Sequence, residues 1–114
     1  MKRENYNEKI FDEFFEKKIS IDYSKYRGKP SRRDRKIRRI LNKYGMKNCY
    51  CLDVCPGTGR WLQYLKDNEA KFLAGIDISQ KSINKFSKLC DHVQKANVEN
   101  EEFDFESNFF DIVI

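Results

Sequence analysis

The 114-residue chain reads as an α/β fold: a parallel, doubly wound sheet of about four strands, covered by helices and preceded by N-terminal helices. Three observations predict it. Beyond Gly45, short and near-continuously apolar runs alternate with helical patterns in the order β-α-β-α-β. The first run leads straight into a glycine turn, Cys55-Pro-Gly-Thr-Gly59, and then into a helix. The chain is 39% hydrophobic and 14% aromatic, which suffices for one modest core and no more.

Each element follows from local pattern. Glu8 to Lys18 suits an opening helix, with Ile10, Phe11, Phe14 and Phe15 on one face and Ile19 just beyond. Ser20 to Pro30, holding Gly28 and Pro30, reads as a connector. The chain therefore divides into an N-terminal helix and connector, 1–30, and a sheet-bearing domain, 31–114. Ser31-Arg-Arg-Asp34 resembles a capping box with Asp in place of Glu. It opens a helix with an apolar stripe of Ile37, Ile40, Leu41 and Tyr44, and Gly45 suits its C-terminal cap. Asn48 to Val54 reads as a buried strand. The helix after the glycine turn, about Thr58 to Asn68, buries Trp61, Leu62 and Leu65. Phe72 to Asp77 is a second strand. Ser79 caps a helix to about Leu89, with Ile83, Phe86 and Leu89 inward. His92 to Ala96 is a weak third strand, and Phe109 to Ile114 a fourth.

Composition excludes several classes. Mean hydropathy is −0.82, and no run approaches the ~18 apolar residues of a membrane span. Met1-Lys-Arg-Glu-Asn-Tyr-Asn-Glu lacks an apolar core, so no ordinary export signal is present and the default compartment is the cytoplasm. There, Cys49, Cys51, Cys55 and Cys90 are not a disulfide framework. The spacing of the first three does not match zinc-binding pairs; they fall on a buried strand and its turn, where Cys behaves as a small hydrophobe. No metal site is expected.

The net charge of +5 is less informative than its distribution. Ten basic residues and one acid, Asp34, lie between Lys25 and Lys43. Six acids and no base lie between Asn97 and Ile114. A solvated helix face, available to the chain's own acidic loop, is favoured over a nucleic-acid surface.

The glycine turn carries the chemistry. Gly57 and Gly59 let backbone approach a ligand without a Cβ in the way, beyond the carboxyl ends of the strands. Asp77 ends the next strand 18 residues after Gly59, where a carboxylate accepts both hydroxyls of a ribose. Asp53 decides which nucleotide. A pyrophosphate against the turn would be repelled by its carboxylate, whereas a cationic ligand such as S-adenosylmethionine would not. Leu62 stands where a third fingerprint glycine belongs, and no phosphate-binding G-x4-G-K-[ST] loop occurs. His92, at the start of a strand, suits a structural role better than general-base work.

These residues resemble the class I, Rossmann-like, S-adenosylmethionine-dependent methyltransferases. Leu52-Asp-Val-Cys-Pro-Gly-Thr-Gly59 lies over that family's first motif, and Gly75-Ile-Asp-Ile-Ser79 over the second. Phe103-Asp-Phe-Glu-Ser-Asn-Phe-Phe-Asp-Ile-Val-Ile114 lies over a third. The resemblance covers about Arg38 to Ile114. It implies that Gly57 and Gly59 lie against the methionine part of the cofactor, with Asp53 near its amino group. Asp77 would hold the ribose and Ile78 would pack on adenine. Asn97, with Glu99 as the alternative, would take the adenine amino group. Cys55 and Val98 complete the implied cofactor-binding set. Asp111 would be a structural or cofactor-side position.

Two departures stand out. Cys55-Pro56 replaces the family's usual Gly-Cys, and the proline removes an N–H and fixes φ. The family's sheet has seven strands, and this chain ends on the fourth. The expected sheet is therefore incomplete, with strand four an open edge prone to aggregation. A gene fragment is the favoured explanation over a split enzyme completed by a second chain, and activity of these 114 residues alone is in doubt.

Methyl transfer needs proximity and orientation more than a catalytic triad, and no catalytic residue is singled out. Tyr23, Tyr26 and Arg27 precede the fold, where such enzymes close over the cofactor, and are candidates for lining a substrate pocket. The acceptor is expected to be a small molecule, because Gly57-Thr-Gly-Arg60 suits that branch. An RNA acceptor on the basic 25–43 face is the alternative. Gly75-Ile-Asp-Ile-Ser79 with Ser82-Ile83 is similar to the RNA cap guanine methyltransferases. A non-catalytic nucleotide-binding module and a basic nucleic-acid-binding protein are the readings from other classes.

Overall fold

The computed structural model describes residues 8–13 and 31–114. Residues 8–13 are helical, within the expected opening helix. Phe14, Phe15, Ile19 and the expected connector lie outside the described residues.

Helix α1 (Arg32–Tyr44) starts as Ser31 predicts, the serine Oγ accepting from the Asp34 N–H at 3.1 Å. The capping box itself is not what Asp34 serves. Its carboxylate turns to Arg60 and accepts from Nη1 at 2.6 Å, tying α1 to the next helix. The expected apolar stripe is accordingly rotated. Leu41 is buried and Ile37 packs on the core, but Ile40 is 57% and Tyr44 78% exposed. The inward face is Asp34, Ile37, Arg38 and Leu41, the same helical spacing begun three residues earlier. Arg38 lies over the Tyr64 ring, 4.9 Å from its centroid. Two polar contacts to the neighbouring helix thus set a face that hydropathy alone misplaces. Gly45, at φ 87, ends the helix and donates to the Leu41 carbonyl at 2.8 Å.

Next come β1 (Tyr50–Val54), α2 (Arg60–Asp67), β2 (Phe72–Asp77) and α3 (Gln80–Phe86), then a 3-10 turn (Ser87–Leu89). β3 (His92–Lys95) and β4 (Ile112–Val113) complete the set. The four strands form one parallel sheet in the order β3-β2-β1-β4. This is the incomplete Rossmann-like α/β sheet that the sequence predicts. β1 starts later than expected because Asn48 takes a left-handed turn, φ 63, its N–H bonded to the Glu69 carbonyl at 3.0 Å. β4 is shorter than expected because Phe109 and Phe110 leave the strand for an aromatic cluster.

Two aspartates set the registers by the same device. The Asp91 N–H donates to the Leu73 carbonyl at 2.8 Å while its Oδ2 accepts from the Leu73 N–H at 2.9 Å. Asp111 does the same with Tyr50, at 2.8 Å each way. Asp111 is therefore structural, at the amino end of the strands. His92 also starts its strand there, with Nε2 3.2 Å from Asp104 Oδ2 and its ring edge-on to Phe105.

Alternation along the strands creates two cores. Cys51 and Leu73 point to the face where Leu41, Leu62, Leu65, Ile83 and Phe86 of the helices pack. Leu52, Ala74 and Ile76 point to the other, where Phe105 and Phe110 of the β3–β4 stretch cover them. The buried keystone of the helical side is Phe86. A Cβ at Gly75 would lie 2.5 Å from its ring, and one at Gly59 would lie 2.9 Å from Phe86 Cβ. Both glycines are seats for that phenylalanine.

Gly75→Ala should therefore lower stability by about 1–3 kcal/mol through overpacking. Urea unfolding would check this, and an unchanged midpoint would mean that Phe86 has room to move.

Candidate functional site

The turn after β1 is built from left-handed residues. Cys55 has φ 58, Gly57 φ 60 and Gly59 φ 84, and the chain reverses through them into α2. The Cys55 N–H donates to the Ile76 carbonyl at 2.7 Å, holding the turn against β2. Gly59 is closed in by Phe86 and Leu89, whereas a Cβ on Gly57 would meet nothing within 4 Å. Gly57 thus keeps the open side of the turn bare. Cys55 takes a backbone conformation that suits glycine, which is the physical cost of Cys-Pro in this motif. Cys55→Gly should raise stability by up to about 1 kcal/mol, since relief of left-handed strain exceeds the added chain entropy. A lower denaturation midpoint would instead assign a packing role to the thiol.

Two carboxyl groups share this end of the sheet. Asp53, near the end of β1, is 3% exposed and Asp77, the last residue of β2, is 6% exposed. Both lie on the helical face, two residues apart in register, because Asp53 pairs with Gly75. Asp77 is well supplied with donors. Its Oδ1 accepts from the Ser79 N–H at 3.0 Å, and its Oδ2 lies 3.0 Å from Ser82 Oγ. That hydroxyl also lies 2.8 Å from the Gly57 carbonyl, so one proton serves two acceptors and α3 is linked to the turn. Asp53 Oδ2 is buried without a hydrogen-bond partner among the described residues. Burial, and then the neighbouring Asp77, push the Asp53 carboxyl up to about 7 against an opposing pull from Arg60. Burial likewise raises the Cys55 thiol, with Asp77 and Asp53 adding to it.

The unfolded chain releases the Asp53 proton near 3.8, whereas the folded chain keeps it to about 7. Stability at this site therefore falls as pH rises through that window. Asp53→Asn, a neutral isostere, should be more stable than the parent at about pH 8, by on the order of 2–4 kcal/mol, and equal to it near pH 4. Paired denaturation curves at the two pH values would measure it, and a gap that does not change with pH would contradict it.

The remaining positions lie around this pair. Ile78 follows Asp77 and is half-buried. β2 pairs with β3 through Asp77 and Lys95, which sets Asn97 and Val98 at the same end of the sheet. Asn97 is engaged locally: its Oδ1 accepts from the Glu99 N–H at 3.1 Å, and its own N–H donates to Glu101 Oε2 at 3.0 Å. Val98 and Glu99 are exposed. Asp53, Cys55, Gly57, Gly59, Asp77 and Ile78 thus gather at the ends of β1 and β2, with Asn97 and Val98 past the end of β3.

Sequence reasoning missed three contributors. Ser82 was legible only as a polar residue one turn into a capped helix. Arg60 follows the turn and reaches Asp34. Residues 8–13 touch the same end of the sheet: Glu8 Oε1 pairs with Lys95 Nζ at 2.5 Å, and Asp12 Oδ1 accepts from Ser79 Oγ. No local pattern announces those long-range contacts. Tyr23, Tyr26 and Arg27 lie outside the described residues.

The basic residues Arg32, Arg33, Arg35, Lys36 and Arg39 are exposed, as a solvated helix face requires. Among the described residues no ion pair joins α1 to the 97–114 stretch; the one formed by α1 is Asp34 with Arg60. Of the four cysteines, Cys51 is fully buried on the helical face, and burial pushes its thiol up to about 12.

Comparison with known proteins adds a family. A family model described as "Methyltransferase domain" matches residues 51–114, more than half of the chain. The matched span starts in β1 and takes in the glycine turn, both aspartates and Asn97. No curated protein matches the chain.

Proposed function

Because this chain belongs to the class I methyltransferase-domain family, we propose that it uses S-adenosylmethionine to methylate an acceptor, a small molecule in the favoured reading. The observation that carries the reading is the buried oxygen of Asp53 beside the glycine turn, which has no hydrogen-bond partner among the described residues. Such a group calls for a cation or a donor, and the ammonium of the methionine part offers three N–H donors. A pyrophosphate at the same place would add negative charge beside two buried acidic side chains, which is unfavourable whichever of them is ionised.

The residues present fit the cofactor. Asp53 would hold the ammonium, and Gly57 and Gly59 would pass the methionine chain along backbone free of Cβ atoms. Asp77 accepts the Ser79 N–H on Oδ1, shares the Ser82 hydroxyl with the Gly57 carbonyl on Oδ2, and keeps lone pairs for two ribose hydroxyls. Ile78 would pack on adenine. Asn97 Oδ1, or Glu99, would take the adenine amino group, with Cys55 and Val98 lining the cleft. When bound, the cofactor supplies an electrophilic methyl group on its sulfonium. The chain's own contribution is to bind and orient, residues 31–114 forming the cofactor domain and residues 8–13 closing over its adenosine end.

A second reading rests on α1. Arg32, Arg33, Arg35, Lys36 and Arg39 are exposed, and among the described residues none has an ion-pair partner. This supports RNA as the acceptor. Binding of a labelled single-stranded RNA whose affinity falls steeply with added salt would favour it, and salt-insensitive or absent binding would remove it.

Calorimetric titration with S-adenosylhomocysteine tests the principal reading. The parent chain should bind, and Asp77→Ala should bind at least about tenfold more weakly, because a charged acceptor of hydrogen bonds is lost. Equal binding by the two would detach the ribose from Asp77. A folded chain that does not bind would sink the cofactor assignment.

A further inference from the structure

The two carboxyl groups at the sheet's end are not equivalent, and the difference is written in their partners. Asp77 receives the Ser79 N–H and faces the Ser82 hydroxyl, donors that stabilise a carboxylate. Asp53 Oδ2 receives nothing from the described residues. Two buried carboxylates on adjacent parallel strands repel, and Asp53, the one without a donor on Oδ2, is the one held to its proton. We infer that Asp53 exchanges a proton for the ligand's ammonium group, being a neutral acid in the free protein and a carboxylate counter-ion in the complex. This rests on the cofactor reading above and adds its regulation: affinity is set by pH in the neutral range.

The balance is simple. Asp53 loses its proton to solvent, and the arriving ammonium, which keeps its own three, supplies the compensating charge. Among the described residues, the groups around Asp53 leave no other source for that charge. Arg60, at the start of α2, acts on Asp53, but its Nη1 is already bonded to Asp34 of α1. From β2 comes only the like charge of Asp77. The Cys55 thiol of the turn and the Cys90 thiol before β3 are both raised, so they stay neutral at neutral pH. Lys66 of α2 acts on Cys90. In the 8–13 segment Asp12 is bonded to Ser79 and Glu8 to Lys95, which adds no cation at Asp53.

The experiment is calorimetric titration of the full chain with two probes, S-adenosylhomocysteine and 5′-methylthioadenosine, which lacks the ammonium. At about pH 6.5, in phosphate and in imidazole, the difference in apparent enthalpy reads the protons released. The expected result is roughly half to one proton per S-adenosylhomocysteine and none for methylthioadenosine. The affinity for S-adenosylhomocysteine should rise up to about tenfold per pH unit below neutrality and level off above about pH 8. Asp77→Asn should move that midpoint to lower pH, because the like charge is gone. Binding of S-adenosylhomocysteine without proton release would overturn the exchange while leaving the cofactor reading intact. So would a pH profile parallel to that of methylthioadenosine. Failure of both probes to bind would overturn both.

Discussion

Phe86 is the contact on which the rest of this structure depends. It has no exposed surface, and it occupies space that two glycines leave open, one on the central strand β2 and one at the end of the glycine turn. A side chain at either place would lift α3 off the sheet. With α3 seated, its first turn brings Ser79 and Ser82 to Asp77 and to the Gly57 carbonyl. One hydrophobic contact therefore positions four polar groups of the site. Gly59 is a turn glycine and a packing glycine at once, and the motif's sequence signals only the first role.

The site is assembled against stability. Two acidic groups are taken from water at neighbouring strand ends, and one of them lacks a hydrogen-bond partner among the described residues. Such an arrangement persists only because strong packing beneath it fixes both strands. A cationic ligand would relieve the conflict that folding creates, which is the ground of the reading proposed above. The left-handed Cys55 is a second concession in the same turn, made where glycine would be at ease.

Away from the site, polar contacts override hydropathy at several points. Hydropathy puts Ile40 and Tyr44 on the inner face of α1, yet Asp34 and Arg38 go inward because Arg60 and the Tyr64 ring meet them. Asp91 and Asp111 close the amino ends of β3 and β4 onto their neighbours by identical pairs of hydrogen bonds. The opposite sheet face is covered by Phe105 and Phe110 from a stretch that composition marks chiefly as acidic.

The chain's local patterns were enough to determine the order of its strands and helices from β1 to β4, the caps at Ser31 and Ser79, and the glycine turn with an acid on each side. Those features rest on short-range causes: periodicity, capping oxygens and left-handed backbone, all of which a few consecutive residues contain. Tertiary structure alone decided which of two equivalent carboxyl groups keeps its donors, which face of α1 is buried, and that residues 8–13 reach the mouth of the site. These depend on partners tens of residues away, such as Ser82 for Gly57, Arg60 for Asp34 and Ser79 for Asp12. No local pattern specifies a meeting that only the folded sheet brings about.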